Sequence, residues 1–157
     1  MLLLECKPDE VLAWRLGRAK RDCLHQNDKG RVCNRLKKTE GLVAMIDEDP
    51  GSAQPTYLGT LKLVEEGNGL RILADAERGH RIVIVQPRLE EWIIATAKAA
   101  EVKMADFGLS ERGNELHREI TSRLFAFGRL LDALLEKESP RLLRLREFLR
   151  PQWGRQR

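Results

Sequence analysis

Leu2, Leu3 and Leu4 follow one another with no polar residue between them, and residues 42–46 do the same. A strand with one face in water alternates apolar and polar side chains, while a strand covered on both faces has no need to. Both runs therefore predict central strands of a parallel sheet with helices on its two faces. Helical spacing fills the interval between them. Pro8, Asp9 and Glu10 make an acidic helix start before Val11, Leu12, Trp14 and Leu16, with Gly17 as the stop. A short strand is expected around Cys23 and Leu24, then a turn at Asn27, Asp28, Lys29 and Gly30. A helix through Val32 and Leu36 follows and ends near residues 39–41.

Beyond a loop at 50–55, residues 61–64 read as either strand or helix, while 70–74 and 81–85 read as strands. Asp75, Glu77 and Gly79 between the latter two predict a hairpin turn. Pro87 opens a helix through Leu89, Trp92, Ile93, Thr96 and Ala97. Helical periodicity runs strongly through 114–136, and Ser139 with Pro140 begins a last helix reaching about Leu149. The expected class is α/β, a mostly parallel sheet flanked by helices. Its core spans 1–100, and a helical C-terminal extension, 101–157, packs on that core.

Composition narrows this picture. At 157 residues, with 42% hydrophobic and 33% charged positions, the chain has the make-up of a soluble globular protein with one core. No segment offers the roughly 20 apolar residues that cross a bilayer, and Glu5 ends the opening apolar run too early for a secretion signal. A cytoplasmic protein with no membrane partner is expected. Cys6, Cys23 and Cys33 contain no Cys-x-x-Cys pair and have no histidine at zinc spacing, so reduced thiols are expected. A net charge of +4 permits a nucleic-acid partner without establishing one. Basic residues gather between Arg15 and Lys38 and again between Arg141 and Arg157, either as phosphate-facing surfaces or as solvated helix faces.

Asp47 and Asp49 come off the end of the second apolar strand, where residues two apart share a side and Glu48 points away. Glu5 stands at the corresponding end of the first strand. Ligands of open α/β sheets gather at the carboxyl ends of the strands, so the three acids can converge. Crowded carboxylates repel unless a cation or a shared proton offsets their charge. A hard ion such as Mg2+ needs only one or two of them, with phosphate oxygens and water completing its shell. Taken alone, residues 47–51 would also serve as a polar turn leaving a strand.

The run Leu3-Leu4-Glu5-Cys6-Lys7-Pro8-Asp9 resembles the first motif of the TOPRIM family, a strand ending in Glu-Gly-x-x-Asp. Ile46-Asp47-Glu48-Asp49 resembles the second, Asp-x-Asp. The resemblance covers roughly the first half of the chain, and Cys6 departs from the family's glycine, a residue suited to tight backbone turns. It implies a TOPRIM-like Rossmannoid sheet and a nuclease closest to the overcoming-lysogenization-defect type. Glu5, accompanied by the motif's Asp9, would be catalytic as general acid or base, and Glu5, Asp47 and Asp49 would hold Mg2+ or Mn2+. Gln86-Pro87-Arg88-Leu89-Glu90-Glu91-Trp92 resembles the Glu-x-Trp helix of small defence-associated TOPRIM-like proteins, which implies Glu90 as a further metal-site acid. A helix start favoured by its dipole, with Trp92 in the core, accounts for the same residues.

Lys7, Lys29, Arg31 and Arg35 are the residues expected to meet nucleic acid, Lys29 within a polar loop whose backbone N–H groups can cradle a phosphate. That loop lacks P-loop spacing, so ATP hydrolysis is not expected. Tyr57, the single tyrosine, has no second domain to carry topoisomerase chemistry, and no zinc ribbon marks a primase. His80 and His117 receive no role. The expected function is metal-assisted hydrolysis of DNA or RNA phosphodiesters in a phage-defence or DNA-repair system. Two alternatives stand beside it: a non-catalytic TOPRIM-like subunit of an ATPase complex, docked to a separately encoded ATPase, and an RNA-processing TOPRIM ribonuclease. Each leaves a homo-oligomer open.

Overall fold

Four strands pair in parallel, and an antiparallel hairpin of two more extends the sheet beside them. The computed structural model describes residues 1–151. Its strands are β1 (Leu2–Leu4), β2 (Cys23–His25), β3 (Val43–Asp47), β4 (Lys62–Gly67), β5 (Leu70–Asp75) and β6 (His80–Val85). They form one sheet in the order β2-β1-β3-β6-β5-β4. Neighbours among β2, β1, β3 and β6 pair in parallel, β5 is antiparallel to β6, and β4 is antiparallel to β5. The helices are α1 (Lys7–Arg15), α2 (Lys29–Lys37), α3 (Thr56–Gly59), α4 (Leu89–Ala99), α5 (Gly113–Ile120), α6 (Leu124–Glu136) and α7 (Pro140–Phe148). The fold is α/β, with a mostly parallel open sheet flanked by helices.

The uninterrupted apolar strands are covered on both sides. Leu2, Leu4, Val43, Met45, Val83 and Val85 face α1, α4 and the C-terminal helices, whereas Leu3, Ala44, Ile46, Ile82 and Ile84 face α2 and Tyr57. The chain moves outward from β1 to β2 and then back across β1 to β3. A right-handed crossover each time puts α1 and α2 on opposite faces, as their separate core clusters require. Leu116, Ile120, Phe127, Leu130, Leu134, Leu142 and Leu145 from α5, α6 and α7 belong to the same buried cluster as the strands. No helix among the described residues is long and apolar enough to cross a membrane. All three thiols are free, and burial raises each above its ordinary pKa, Cys33 to about 11.

Several elements differ from the sequence expectation for identifiable reasons. The helical pattern over 114–136 is two helices. Arg123 leaves helical geometry at φ −123°, ψ 48° and donates from Nη1 to Gly108 O at 2.6 Å, while Ser122 Oγ bonds back to Glu119 O. The apolar spacing stays in phase across that break, so periodicity alone does not register it. Of residues 61–64, Lys62 to Val64 belong to strand β4, and the short α3 precedes it. The signal for that strand lies just downstream, in Asn68-Gly69, both left-handed at φ 54° and 70°, the pair that two-residue hairpins favour. Pro87, cis to Gln86, lies ahead of α4, which starts at Leu89 with Arg88 as its N-cap. Lys29 and Gly30, expected in a turn, already belong to α2, capped by Asp28 through Arg31 N at 2.7 Å.

Candidate active site

Connections leave β1 toward one edge of the sheet and β3 toward the other, so the switch point of the topology lies between them. Glu5 directly follows β1 there and Asp47 ends β3. Glu5 Oε2 accepts a hydrogen bond from Asp47 N at 3.0 Å, closing the gap between the strand ends. Asp9, buried in the first turn of α1, accepts from Glu5 N at 3.3 Å and Cys6 N at 3.2 Å through Oδ2. It is a helix cap that holds the β1–α1 turn, and its carboxylate fixes the backbone that carries Glu5. Cys6 has φ −143°, extended backbone that any residue adopts, so glycine is not needed at this position.

Asp47 Oδ1 accepts from Leu89 N at 3.1 Å, tying β3 to the first turn of α4. Asp49 does not share a face with it by strand alternation. β3 stops at Asp47, and the chain turns at Asp49, whose φ of +46° is a left-handed conformation aspartate tolerates. Asp49 N donates to Pro87 O and Glu48 N to Val85 O, both at 2.9 Å, so the loops after β3 and β6 are laced together. Glu48 turns elsewhere and accepts from Gln86 Nε2 at 2.6 Å. Glu90, in the first turn of α4, is buried, with His117 Nδ1 at 2.8 Å from its Oε1.

Asp47 is the electrostatic centre of this group. Burial raises its carboxyl pKa most, followed by the charges of Asp9, Glu5, Glu90 and Asp49. Burial likewise raises Asp9, with Glu5 adding repulsion against the N–H bonds it accepts. Glu5 is raised by burial; the Asp47 amide pulls it back, Asp49 pushes it up, and the Lys29 ammonium lowers it. Five acids thus act on one another at one end of the sheet. Among the described residues none of Glu5, Asp9, Asp47 and Asp49 is ion-paired with a lysine or arginine.

No three His, Cys, Asp or Glu side chains among the described residues form a ready-made metal site. The donors that could hold an ion at the switch point are Glu5, Asp47 and Asp49, all carboxylate oxygens, a set suited to a hard divalent cation. Beside Asp47 and Glu48 opens a groove of about 670 Å³ with a floor of Ile46, Leu73 and Ile84, walls that include Leu58 and Leu63, and Arg71 at its side.

The expected nucleic-acid contacts separate into two kinds. Lys7 is exposed at the start of α1, and Arg31 and Arg35 are exposed on α2, Arg31 beside Asp28 Oδ2 at 3.5 Å. Lys29 is buried. Its Nζ donates to Glu48 O at 2.8 Å and Gln54 Oε1 at 3.1 Å, which makes it a brace for the loop after β3. Of the second basic group, Arg144 is taken up by Glu65 and Glu147 and Arg141 lies over Trp92, while Arg155 and Arg157 fall outside the described residues. Two residues left without a role have one in the fold: His117 meets Glu90, and His80 accepts from Leu42 N through Nδ1 while Nε2 lies 2.8 Å from Leu36 O. Neither partnership has a signal in local spacing. No family model matches the chain, and neither a curated protein nor a solved structure is significantly similar to it.

Proposed function

We propose that this chain is a Mg2+- or Mn2+-dependent nuclease with a TOPRIM-like site, acting on nucleic-acid phosphodiesters. The observation that carries the reading is the concentration of Glu5, Asp9, Asp47, Asp49 and Glu90 around a topological switch point, with burial and mutual repulsion raising Asp47 and no lysine or arginine among the described residues ion-paired to relieve it. A divalent cation, when bound, supplies the charge that lets such acids ionise together and polarises a phosphoryl oxygen. Asp47 and Asp49, with Glu5, are the oxygen donors that would hold it. Glu5 is half-buried, and burial raises its pKa above the usual carboxylate value, which suits a group that exchanges a proton with water or a leaving oxygen. Asp9 acts as a positioning residue through the backbone of Glu5. Glu90, anchored by His117, completes the acidic rim. The adjoining groove gives a substrate somewhere to lie, and Lys7, Arg31 and Arg35 would meet its backbone without reading sequence.

The test is Mg2+- or Mn2+-dependent cleavage of single-stranded, duplex and structured DNA and RNA by the wild type, Glu5→Gln and Asp47→Asn. Each substitution is expected to lower the rate on the order of 100-fold or more. Unchanged cleavage in both variants would overturn the assignment. The non-catalytic reading draws on Phe125, which is 78% exposed at the start of α6 and offers an apolar contact to a partner such as a separate ATPase. Cation binding with no cleavage of any substrate would favour it.

A further inference from the structure

At the end of the sheet away from the carboxylates, three arginines meet in a small pocket. α1 carries the chain back along the sheet from Glu5, so Arg18, just beyond its end, lies at the opposite rim, where the end of α7 also arrives. Arg18 Nη1 donates to Leu149 O, and Arg81 Nη1, from the amino end of β6, donates to Phe148 O, both at 3.1 Å. Bonds of this kind satisfy the last carbonyls of a helix. They leave part of the Arg18 fork unused. Arg18 is 7% exposed, and its buried Nε–H has no acceptor; Arg146 on α7 has a buried Nε–H in the same condition. Both side chains, with Arg150, line a pocket of about 430 Å³ whose other walls are Leu16, Gly17, Leu149 and Pro151.

Among the described residues no carboxylate lines this pocket and none of the three arginines is ion-paired. Glu147, the acid next to Arg146, is held instead by Arg144 at 2.5 Å. A buried N–H without an acceptor carries a desolvation cost, and native structures seldom leave one uncompensated. Guanidinium groups present several donors in a rigid fork that matches the oxygens of a phosphoryl group. We infer that this pocket binds a phosphoryl group, supplied by free phosphate or pyrophosphate or by a nucleic-acid strand, at a site separate from the carboxylates and independent of their chemistry.

The experiment uses the full chain with a chelator present, so that the outcome of the cleavage assay has no bearing on it. Inorganic phosphate and pyrophosphate are titrated by calorimetry and in thermal unfolding, with chloride at matched ionic strength as the screening control. Both phosphates are expected to bind saturably and raise the unfolding temperature where chloride does not. Arg146→Gln/Arg150→Gln, which leaves the Arg18 bond to α7 in place, should weaken binding by at least about tenfold. Arg144→Gln removes a charge from the same helix outside the pocket and should bind as the wild type does. Displacement of pyrophosphate by a short oligonucleotide would assign the group to a nucleic-acid strand, and retention would assign it to the free anion. A phosphate response no greater than that of chloride, or undiminished binding in the double variant, overturns the proposal.

Discussion

Asp47 carries opposing demands. Its carboxylate accepts from Leu89 N at the start of α4 and, among the described residues, is ion-paired with no lysine or arginine, while four other acids press on it. Its raised folded-state pKa sets the sign of a pH effect. The proton-bound form is favoured in the fold, so this contribution is fully present below the unfolded value of about 3.9 and is lost as pH rises through the folded-state value. Metal-free protein should therefore lose stability as pH rises from about 4 toward the folded value of about 9. Asp47→Asn keeps an oxygen for Leu89 N and removes the charge, so at pH 8 it should be the more stable protein by about 1 kcal/mol, with the gap closing near pH 4. Urea unfolding in chelator at the two pH values reads this directly, and a variant weaker than wild type at pH 8 would count against the crowding argument. Asp75 shows the opposite arrangement. Burial works to raise it, but the Tyr57 hydroxyl at 2.7 Å and the Arg78 N–H and guanidinium hold it below the usual carboxylate range. Tyr57→Phe leaves that buried carboxylate short of a donor and should cost about 1–3 kcal/mol in denaturant unfolding. The single tyrosine thus has a structural use.

Among the elements, the β4–β5 hairpin shows how a turn and a helix fix one another. Asn68 and Gly69 are both left-handed, and Trp92 Nε1 of α4 donates to Asn68 O at 2.8 Å. A Cβ on Gly69 would stand 2.8 Å from Trp92 Cδ1 and 3.0 Å from Arg141 Nη2, so neither the conformation nor the space admits a side chain. Gly69→Ala is expected to destabilise the fold by about 1–3 kcal/mol and to alter tryptophan fluorescence as the indole shifts. Unchanged fluorescence with unchanged stability would mean the hairpin tip moves freely away from α4. Trp92 is therefore a core residue that also clamps the hairpin, while Glu90 two positions earlier turns to His117.

For the whole molecule, the C-terminal helices and the sheet share one hydrophobic cluster. Leu142 and Leu145 of α7 are buried in it together with Leu2 and Val83. Sharing a core implies a single unfolding unit across the boundary near residue 100. Leu145→Ala should cost about 2–5 kcal/mol and lower one transition, followed alike by circular dichroism and by tryptophan fluorescence. Two separated transitions would show the extension to be an independent body. The arrangement also divides the chemistry of the surface, with acids at the carboxyl ends of the strands and the Arg18, Arg146 and Arg150 pocket at the amino ends.

Apolar runs and helical spacing along the chain marked the central strands and most of the helices, because burial leaves a local, periodic mark such as that at Leu2, Leu3, Leu4 and residues 42–46. The presence of acids at two strand ends was legible for the same reason. Strand order was not, since parallel strands meet through crossovers and no local pattern names their neighbours. Tertiary structure alone decided that Glu5 meets the backbone of Asp47 across 42 residues and that Asp47 receives Leu89 across another 42. It also brought Asp49 back by a left-handed turn, buried Lys29 as a brace, and gave Glu90 its histidine. Those contacts depend on where the sheet and helices come to rest, and no single segment of the chain contains that information.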